Sequence, residues 1–220
     1  SNLEALQLGF QTILSAPGFL YLNEGTGVLD DYALASRLSY FLWSSMPDTE
    51  LSNLAEEGKL TNLDVLTKQV DRMLADTKGK RLSQNFLRLW LELDNIGKMP
   101  PSREFVSFYR DNLESAMLME TDLFFKHVLE ENLHPVELLS ADYSFINREL
   151  GEHYGISGLE GNEFRKVRME GSERGGILGH GSFLTASANG VDTSPVVRGI
   201  YVMNKLLDYT PPPPPDDVPC

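Results

Sequence analysis

Apolar residues recur every three or four positions through the first 140 residues, which is the spacing of amphipathic α-helices that bury one face. The pattern predicts a buried face in each of four segments. These faces comprise Leu34, Leu38, Phe41 and Leu42; Leu66, Val70, Met73 and Leu74; Phe86, Leu89, Trp90 and Leu93; and Leu113, Met117, Phe124 and Val128. The chain is therefore predicted to be mainly helical.

Capping residues and helix breakers divide this pattern into separate helices. The predicted helices are, in order, Leu3 to Ser15, one opened by Asp30-Asp31, one between Pro47 and Gly58, one capped by Thr61 or Asn62, one that follows Gly79, Ser102 to about Asn132, and two short ones near Val136 to Ser140 and Asn147 to Tyr154.

The texture changes after residue 150, because ten of the eighteen glycines lie between Gly151 and Gly190. This segment is predicted to be a loop with one short strand pair around Phe164 to Met169. A last helix is predicted from Ser194-Pro195 to about Asp208, with an apolar face formed by Val196, Ile200, Met203 and Leu207. The predicted fold class is all-α: an orthogonal or irregular multi-helix bundle with a glycine-rich loop before the last helix.

Composition excludes several classes of protein. The chain has 19 basic and 32 acidic residues, a net charge of −13, and 41% of its residues are hydrophobic. So acidic a chain repels phosphate backbones and anionic membrane surfaces, so nucleic acid is not expected as a partner. No apolar run reaches the roughly 20 residues of a membrane span. Cys220 is the only cysteine, which excludes an internal disulfide, a thiolate zinc cluster, an iron–sulfur site and a two-cysteine haem attachment.

The glycine-rich loop is the best candidate for a binding site. Arg174 and His180 lie among glycines that are free to adopt positive φ. Further on, Asp192, Thr193 and Ser194 lead into a helix N-terminus with Arg198 one turn inside, an arrangement that suits a carboxylate or an acidic sugar. The alternative is structural: Asp192 and Thr193 cap the helix while the arginines tie the loop to the acidic bundle. The sequence has no serine-hydrolase elbow, no phosphate-binding P-loop and no H-E-x-x-H motif.

Glu120 and His127 share the apolar stripe of the long predicted helix. A carboxylate in such a stripe needs a partner. One interpretation is a buried hydrogen bond to a neighbouring element; the other is a metal ligand or a proton-transfer pair. We assign no metal site and no cofactor to this chain, and these two residues are the candidates for a metal.

Both ends of the chain carry unusual residues. Ser1-Asn2 has the composition of an expression scar. The run from Pro211 to Pro215 favours polyproline II, a stiff spacer. We expect this run to be a linker to a further module, and a frayed tail is the alternative.

Several motifs resemble one known family. Arg37-Leu38-Ser39-Tyr40-Phe41-Leu42-Trp43-Ser44-Ser45-Met46-Pro47-Asp48, Gln69 to Asp76 and Ala141 to Asn147 are similar to a helical domain of unknown function found in planctomycetes and related bacteria. Arg174 to Leu178, Asn189 to Gly199 and the proline run resemble the start of its companion domain. These are the planctomycete-type cytochrome-associated domains of unknown function.

The resemblance implies a domain plan and a context. The plan is an N-terminal helix and linker over 1–28, a helical domain over 29–157, the start of the companion domain over 158–210, and a proline-rich linker over 211–220. Such proteins are usually exported, periplasmic or extracellular, and are combined with c-type cytochrome modules, so haem c is expected in a neighbouring module and not in this chain.

Two functions are compatible with these observations. The first is a non-catalytic helical scaffold or docking module whose partner is a protein or a neighbouring cytochrome-like domain, because an acidic surface suits a basic partner. The second is part of an enzyme that acts on polysaccharide or another extracellular polymer. The second function requires Arg174, His180, Asp192 and Arg198 to converge on one open cleft.

Overall fold

A computed structural model of the chain describes residues 2–21, 26–96, 111–169, 174–188 and 194–212. The chain divides into two compact units, Ser1–Leu82 and Ser83–Cys220. The described residues are mainly helical, with one two-stranded sheet, so the predicted all-α class is confirmed. The start of the predicted helix at Ser102, the stretch Asn189 to Thr193 and the residues after Pro212 lie outside the described residues.

The first unit is built from short helices. They are α1 (Asn2–Ser15), α2 (Pro17–Leu20), α3 (Asp31–Trp43), α4 (Thr49–Glu56) and α5 (Leu63–Ala75), followed by a 3-10 turn at Thr77–Gly79. Side chains cap three of them, because Asp30, Asp48 and Asn62 accept hydrogen bonds from the first free backbone N–H groups of α3, α4 and α5. The helix starts predicted at Asp30 and Asn62 are confirmed, whereas the helix predicted to open with Pro47 begins at Thr49, after its cap Asp48.

Trp43 is the centre of the first core and is only 1% exposed. Its indole Nε1 donates to the Met73 carbonyl at 2.8 Å, and Leu51 and Leu60 belong to the same buried cluster. The predicted apolar face of α3 is wrong at Phe41, which is 59% exposed. The reason is that α3 buries the small residues Ala35 and Ser39 in the same face as Leu42 and Trp43, a face that apolar spacing alone does not indicate.

The second unit adds two strands to its helices. Its elements are α6 (Lys80–Trp90), which starts just before the unit boundary, a 3-10 turn (Leu93–Asn95), α7 (Asp111–Glu130), α8 (Glu137–Ser140), β1 (Tyr143–Ile146), α9 (Arg148–Tyr154), β2 (Arg165–Arg168), a 3-10 turn (Ile177–Gly179), α10 (Gly181–Ala186) and α11 (Pro195–Leu206). The short helices predicted near Val136 to Ser140 and Asn147 to Tyr154 are confirmed as α8 and α9.

The sheet differs from its prediction. β2 lies where a strand pair was predicted, but its partner is β1, which precedes it by a whole helix. The two strands are antiparallel, with Tyr143 opposite Arg168 and Ile146 opposite Arg165. A hairpin was expected because the glycine-rich texture marks a local turn. The actual pairing is long-range, and it places β1 against α7.

Two helices of the second unit bury faces other than those predicted. In α6, Leu89 is 75% exposed, whereas Leu87, and Leu91 directly after the helix, are fully buried. In α11, Val196 and Leu207 are largely exposed, while Tyr201, Val202 and Leu206 pack on the core. The side of α11 that packs on the core also contains Arg198 and Lys205, which are half-buried, and their charged ends conceal this side in the apolar pattern.

The glycine-rich segment is more ordered than a loop. Its described part contains the 3-10 turn and α10, which sequence analysis did not predict. Gly176 has φ +56°, and a Cβ there would lie 2.6 Å from the backbone of Leu139, so only glycine fits this approach to α8. Ile177 and Phe183 are buried with Leu87 and Leu91 in one cluster. The segment is therefore anchored to the core of the second unit.

Candidate functional site

The polar side chains of the glycine-rich segment meet those of α7, β1 and α9 inside the second unit. We call this group the buried polar network. It consists of Glu120, Thr121, Ser144, Tyr154, His180 and Ser182, together with the backbone N–H of Gly181. Each of its six side chains makes at least one hydrogen bond to another member.

Gly181 allows the segment to reach this network. A Cβ at this position would lie 2.8 Å from both the Tyr154 hydroxyl and Cγ of Met117. Because glycine has no Cβ, the backbone N–H of Gly181 approaches close enough to donate to the Tyr154 hydroxyl at 2.8 Å. The first turn of α10 is thereby held directly against α7 and α9.

Glu120 is the buried carboxylate of the network and is 1% exposed. Its Oε1 accepts a hydrogen bond from the Ser144 hydroxyl at 2.7 Å, and its Oε2 accepts one from the Tyr154 hydroxyl at 2.6 Å. The Gly181 N–H lies 3.4 Å from the same Oε2. These donors compensate for the cost of removing a carboxylate from water.

His180 is the buried imidazole and is 2% exposed. Its Nδ1 lies 3.0 Å from the Thr121 hydroxyl, and its Nε2 lies 3.4 Å from the Ser144 hydroxyl. The Ser144 hydroxyl donates its hydrogen bond to Glu120, so the Ser144 oxygen accepts one from Nε2–H of His180. The other ring nitrogen of His180, Nδ1, then accepts a hydrogen bond from the Thr121 hydroxyl. Thr121 in turn lies 2.5 Å from the hydroxyl of Ser182. This assignment makes His180 a neutral imidazole.

Burial and neighbouring charges shift two pKa values in the network. Burial lowers the pKa of His180; the Arg174 guanidinium lowers it further, and only the Glu120 carboxylate acts in the opposite direction. Burial also raises the pKa of the Tyr154 hydroxyl well above its ordinary value, and the negative charge of Glu120 adds to that effect. The network therefore holds one carboxylate among neutral donors.

Arg174 lies at the edge of the network. Its guanidinium lies 4.1 Å from the centre of the Tyr154 ring and donates to the Gly179 carbonyl at 2.9 Å. These contacts combine a cation–π interaction with a hydrogen bond that closes the 3-10 turn. The arginine predicted to bind a ligand thus contacts the protein's own tyrosine and backbone.

The other residues predicted from the loop are placed differently. Ser194 caps α11 by accepting from the Val197 N–H at 3.4 Å. Arg198 donates to the Ser187 hydroxyl at 3.1 Å and to the Leu184 carbonyl at 3.3 Å, so it ties α11 to α10. Asp192 and Thr193 lie outside the described residues. Of the predicted group, the structure brings together Arg174 and His180, whereas the Arg198 guanidinium has separate partners.

Glu120 and His127, the two candidate metal ligands, have different partners. His127 Nε2 lies 2.9 Å from Lys166 Nζ, and its ring packs edge-on against Tyr143 and Phe145. Within the part of the chain that the structure describes, no three or more His, Cys, Asp or Glu side chains form a group that could hold a metal ion. A two-cysteine haem attachment is excluded by the sequence, because Cys220 is its only cysteine.

The site predicted from sequence did not include Thr121, Ser144 or Tyr154, whereas Ser182 lies in the glycine-rich segment that was predicted to bind. The alternation of Ser144 with Tyr143 and Phe145 places the serine on the opposite face of the strand, and the structure buries it there, at 3% exposure. Thr121 directly follows Glu120 within the apolar stripe of α7. Small hydroxyl residues between apolar ones are good candidates for a buried network, but which of them meet is decided by the tertiary fold.

The arrangement resembles a proton-relay chain in composition but is closed to solvent. Thr121 and Ser182 are 0% exposed, so neither hydroxyl is accessible to a substrate as a nucleophile. A small space next to the network is lined by Glu120, Ser144, Arg174 and His180, among other residues. The main physical effect of the buried polar network is to fix the glycine-rich segment to α7, β1 and α9.

The chain is thus a mostly helical module in which the buried polar network holds the glycine-rich segment in place. Residues 29–156 match the family model PSD4, a protein of unknown function (DUF1592), and residues 174–220 match PSCyt3, a protein of unknown function (DUF1588). The chain belongs to the PSD4 family, which confirms its resemblance to the planctomycete-type cytochrome-associated domains of unknown function.

No curated protein and no solved structure shows significant similarity to the chain. Among the helices of the described residues, none has both the length and the apolar composition that crossing a membrane requires. The buried polar network joins residues from the two family matches, because Glu120, Thr121, Ser144 and Tyr154 fall in the first and His180 in the second.

Proposed function

We propose that this chain is a non-catalytic helical module that docks a c-type cytochrome module within an exported multidomain protein. The observation that carries the proposal is the burial of the chemically active side chains of the glycine-rich segment. His180 and Ser182 are almost inaccessible and bond to Thr121 of α7. Groups used in this way hold two sequence segments together and are not available to a substrate.

Charge supports the proposed partner. The net charge of −13 produces a negative potential that favours encounter with a basic protein surface. The name of the second matching family, PSCyt3, also contains an abbreviation of cytochrome. A haem in the neighbouring module, and none in this chain, agrees with the single cysteine. An exported location is part of the same proposal.

The polymer-acting enzyme is less well supported. It requires the loop arginines and His180 to share an open cleft, but Arg198 is bonded to Ser187 and Leu184, and His180 is 2% exposed. We therefore propose docking as the function and place no reaction on this chain.

The docking proposal is tested by titrating the purified chain with a basic soluble c-type cytochrome and, as a matched control, an acidic one. NMR of the isotope-labelled chain should show a localised set of shifted amides with the basic protein only. The affinity should fall several-fold between low and physiological salt, because surface ion pairs are screened. No localised binding at low salt, or a haem or tightly bound metal recovered with the chain, would contradict the proposal.

A further inference from the structure

An open groove of about 460 Å³ lies between the first half of α7 and the helix α9. Its volume falls in the roughly 300–1,000 Å³ range of small-molecule sites. None of its lining residues belongs to the buried polar network, so it is a separate feature of the second unit. Its lining includes Asn112 and Met119 of α7, Arg148 and Glu149 of α9, and Asn162 and Phe164 from the segment that leads into β2.

The lining combines hydrogen-bonding groups with apolar surface. Asn112 and Asn162 are exposed, and each amide both donates and accepts hydrogen bonds. Phe164 and Met119 supply apolar surface in the same groove. A ligand that fits must present hydrogen-bonding groups and an apolar face together. Sugars have both, since their ring hydroxyls pair with amides while their C–H faces pack on aromatic rings.

The charged residues of the groove indicate which class of sugar it would bind. Glu149 and Glu152 contribute two carboxylates to the groove, against one guanidinium from Arg148, which lies 3.8 Å from Glu152. Together with the net charge of −13, this balance disfavours sulfated or uronic-acid chains. We infer that the groove between α7 and α9 binds a short stretch of a neutral carbohydrate chain.

Isothermal titration and NMR of the whole chain test this inference. The neutral probes are cellohexaose, xylohexaose and laminarihexaose; dextran sulfate and spermine serve as the anionic and cationic probes. We expect at least one neutral hexasaccharide to bind and to shift the amides of Asn112 and Asn162. The absence of binding by all three at about 10 mM, or stronger binding of dextran sulfate or spermine in the groove, would overturn the inference.

Two variants test the site itself. Phe164→Ala should weaken binding about tenfold by removing the apolar surface, and Asn162→Ala about fivefold by removing one hydrogen bond. Phe164 also packs against a buried cluster, so exposed Asn162 is the variant that keeps the test independent of folding. Asn204→Ala, which changes an exposed asparagine of α11 outside the groove, is the matched control. Unchanged affinity in Asn162→Ala together with unchanged affinity in Phe164→Ala would overturn the site.

Discussion

Glu120 shows how a single buried charge can organise a protein interior. Both of its oxygens accept short hydrogen bonds, from Ser144 at 2.7 Å and from Tyr154 at 2.6 Å. Hydrogen bonds to an ionised acceptor are stronger than neutral ones, and removal of one partner leaves the others unsatisfied. The stability of the second unit is therefore expected to depend on this carboxylate.

Glu120→Gln tests that dependence. The glutamine amide keeps the size of the side chain, but the negative charge is lost. Its NH2 group would also face the Ser144 or the Tyr154 hydroxyl, each of which donates a hydrogen bond to Glu120 in the wild-type chain. We expect the free energy of unfolding of the second unit to fall by about 2 kcal/mol. Urea denaturation followed by circular dichroism measures the change. Glu130→Gln, at an exposed position of the same helix, should change the stability by less than about 0.5 kcal/mol; equal effects of the two substitutions would contradict the prediction.

Gly181 and Gly199 form a second matched pair at the residue scale. A Cβ at Gly181 would lie 2.8 Å from the Tyr154 hydroxyl, whereas no atom of the described residues would lie within 4 Å of a Cβ at Gly199 within α11. We expect Gly181→Ala to destabilise the second unit by about 1–3 kcal/mol, because the buried network must shift. Gly199→Ala should stabilise it by up to about 1 kcal/mol through helix propensity. Thermal unfolding monitored by circular dichroism distinguishes these opposite signs; the same sign for both would refute the argument.

The candidate site was only partly predictable from sequence. Glu120 is identified by its place in an apolar stripe, and His180 by its place among glycines. Their meeting depends on α7 and α10, which are about sixty residues apart, and on β1, whose serine bridges them. No local pattern encodes such contacts, since they form only when the tertiary fold brings the segments together.

At the scale of elements, the existence and order of the helices follow from local sequence signals. Which face of a helix is buried does not always follow from such signals. Capping by Asp48 and Asn62 is encoded within a few residues, and the structure has these caps. The buried face of α11 is set by long-range partners: the Trp90 indole donates to the Lys205 carbonyl, and the Tyr201 hydroxyl donates to the Leu91 carbonyl. Apolar spacing therefore predicted the opposite face of that helix.

Adjacent leucines of α11 test which face is buried. Leu206 packs on the core of the second unit, while Leu207 is 67% exposed at the end of the helix. We expect Leu206→Ala to lower the free energy of unfolding by about 2 kcal/mol, because it removes apolar contacts and leaves a cavity. Leu207→Ala should change it by less than about 0.5 kcal/mol. Chemical denaturation of the two variants side by side measures this; a larger effect of Leu207→Ala would restore the face predicted from sequence.

At the scale of the whole molecule, the two units differ in their histidines. The chain has four histidines, His127, His134, His153 and His180, and all of them follow residue 82. In the first unit, the Arg72 guanidinium holds the pKa of Asp48 below its ordinary value, so that group responds only in strong acid. Mild acid is therefore expected to act on the second unit alone.

The direction of that response follows from His180. Its pKa is lowered by burial in the folded chain, whereas an unfolded histidine titrates near pH 6.5. Below about pH 6.5 the unfolded state binds more protons, so the stability of the second unit falls as the pH falls, until the pH reaches the lowered pKa of the folded state. Burial also lowers the pKa of His153, which adds to the same trend, whereas burial raises the pKa of Asp122, which acts in the opposite direction at lower pH.

The two tryptophans allow this to be measured in one sample, because Trp43 lies in the first unit and Trp90 in the second. Urea titrations of 5-fluorotryptophan-labelled protein, followed by fluorine NMR at pH 7.5 and pH 5.5, report each unit separately. We expect the Trp90 transition to occur at a lower urea concentration at pH 5.5, while the Trp43 transition stays in place. The free energy of unfolding of the second unit should fall by up to about 1.4 kcal/mol per pH unit for each histidine. His180→Gln should reduce the shift at Trp90. Equal shifts at both tryptophans, or a second unit that gains stability in acid, would show that buried histidines do not set the acid response.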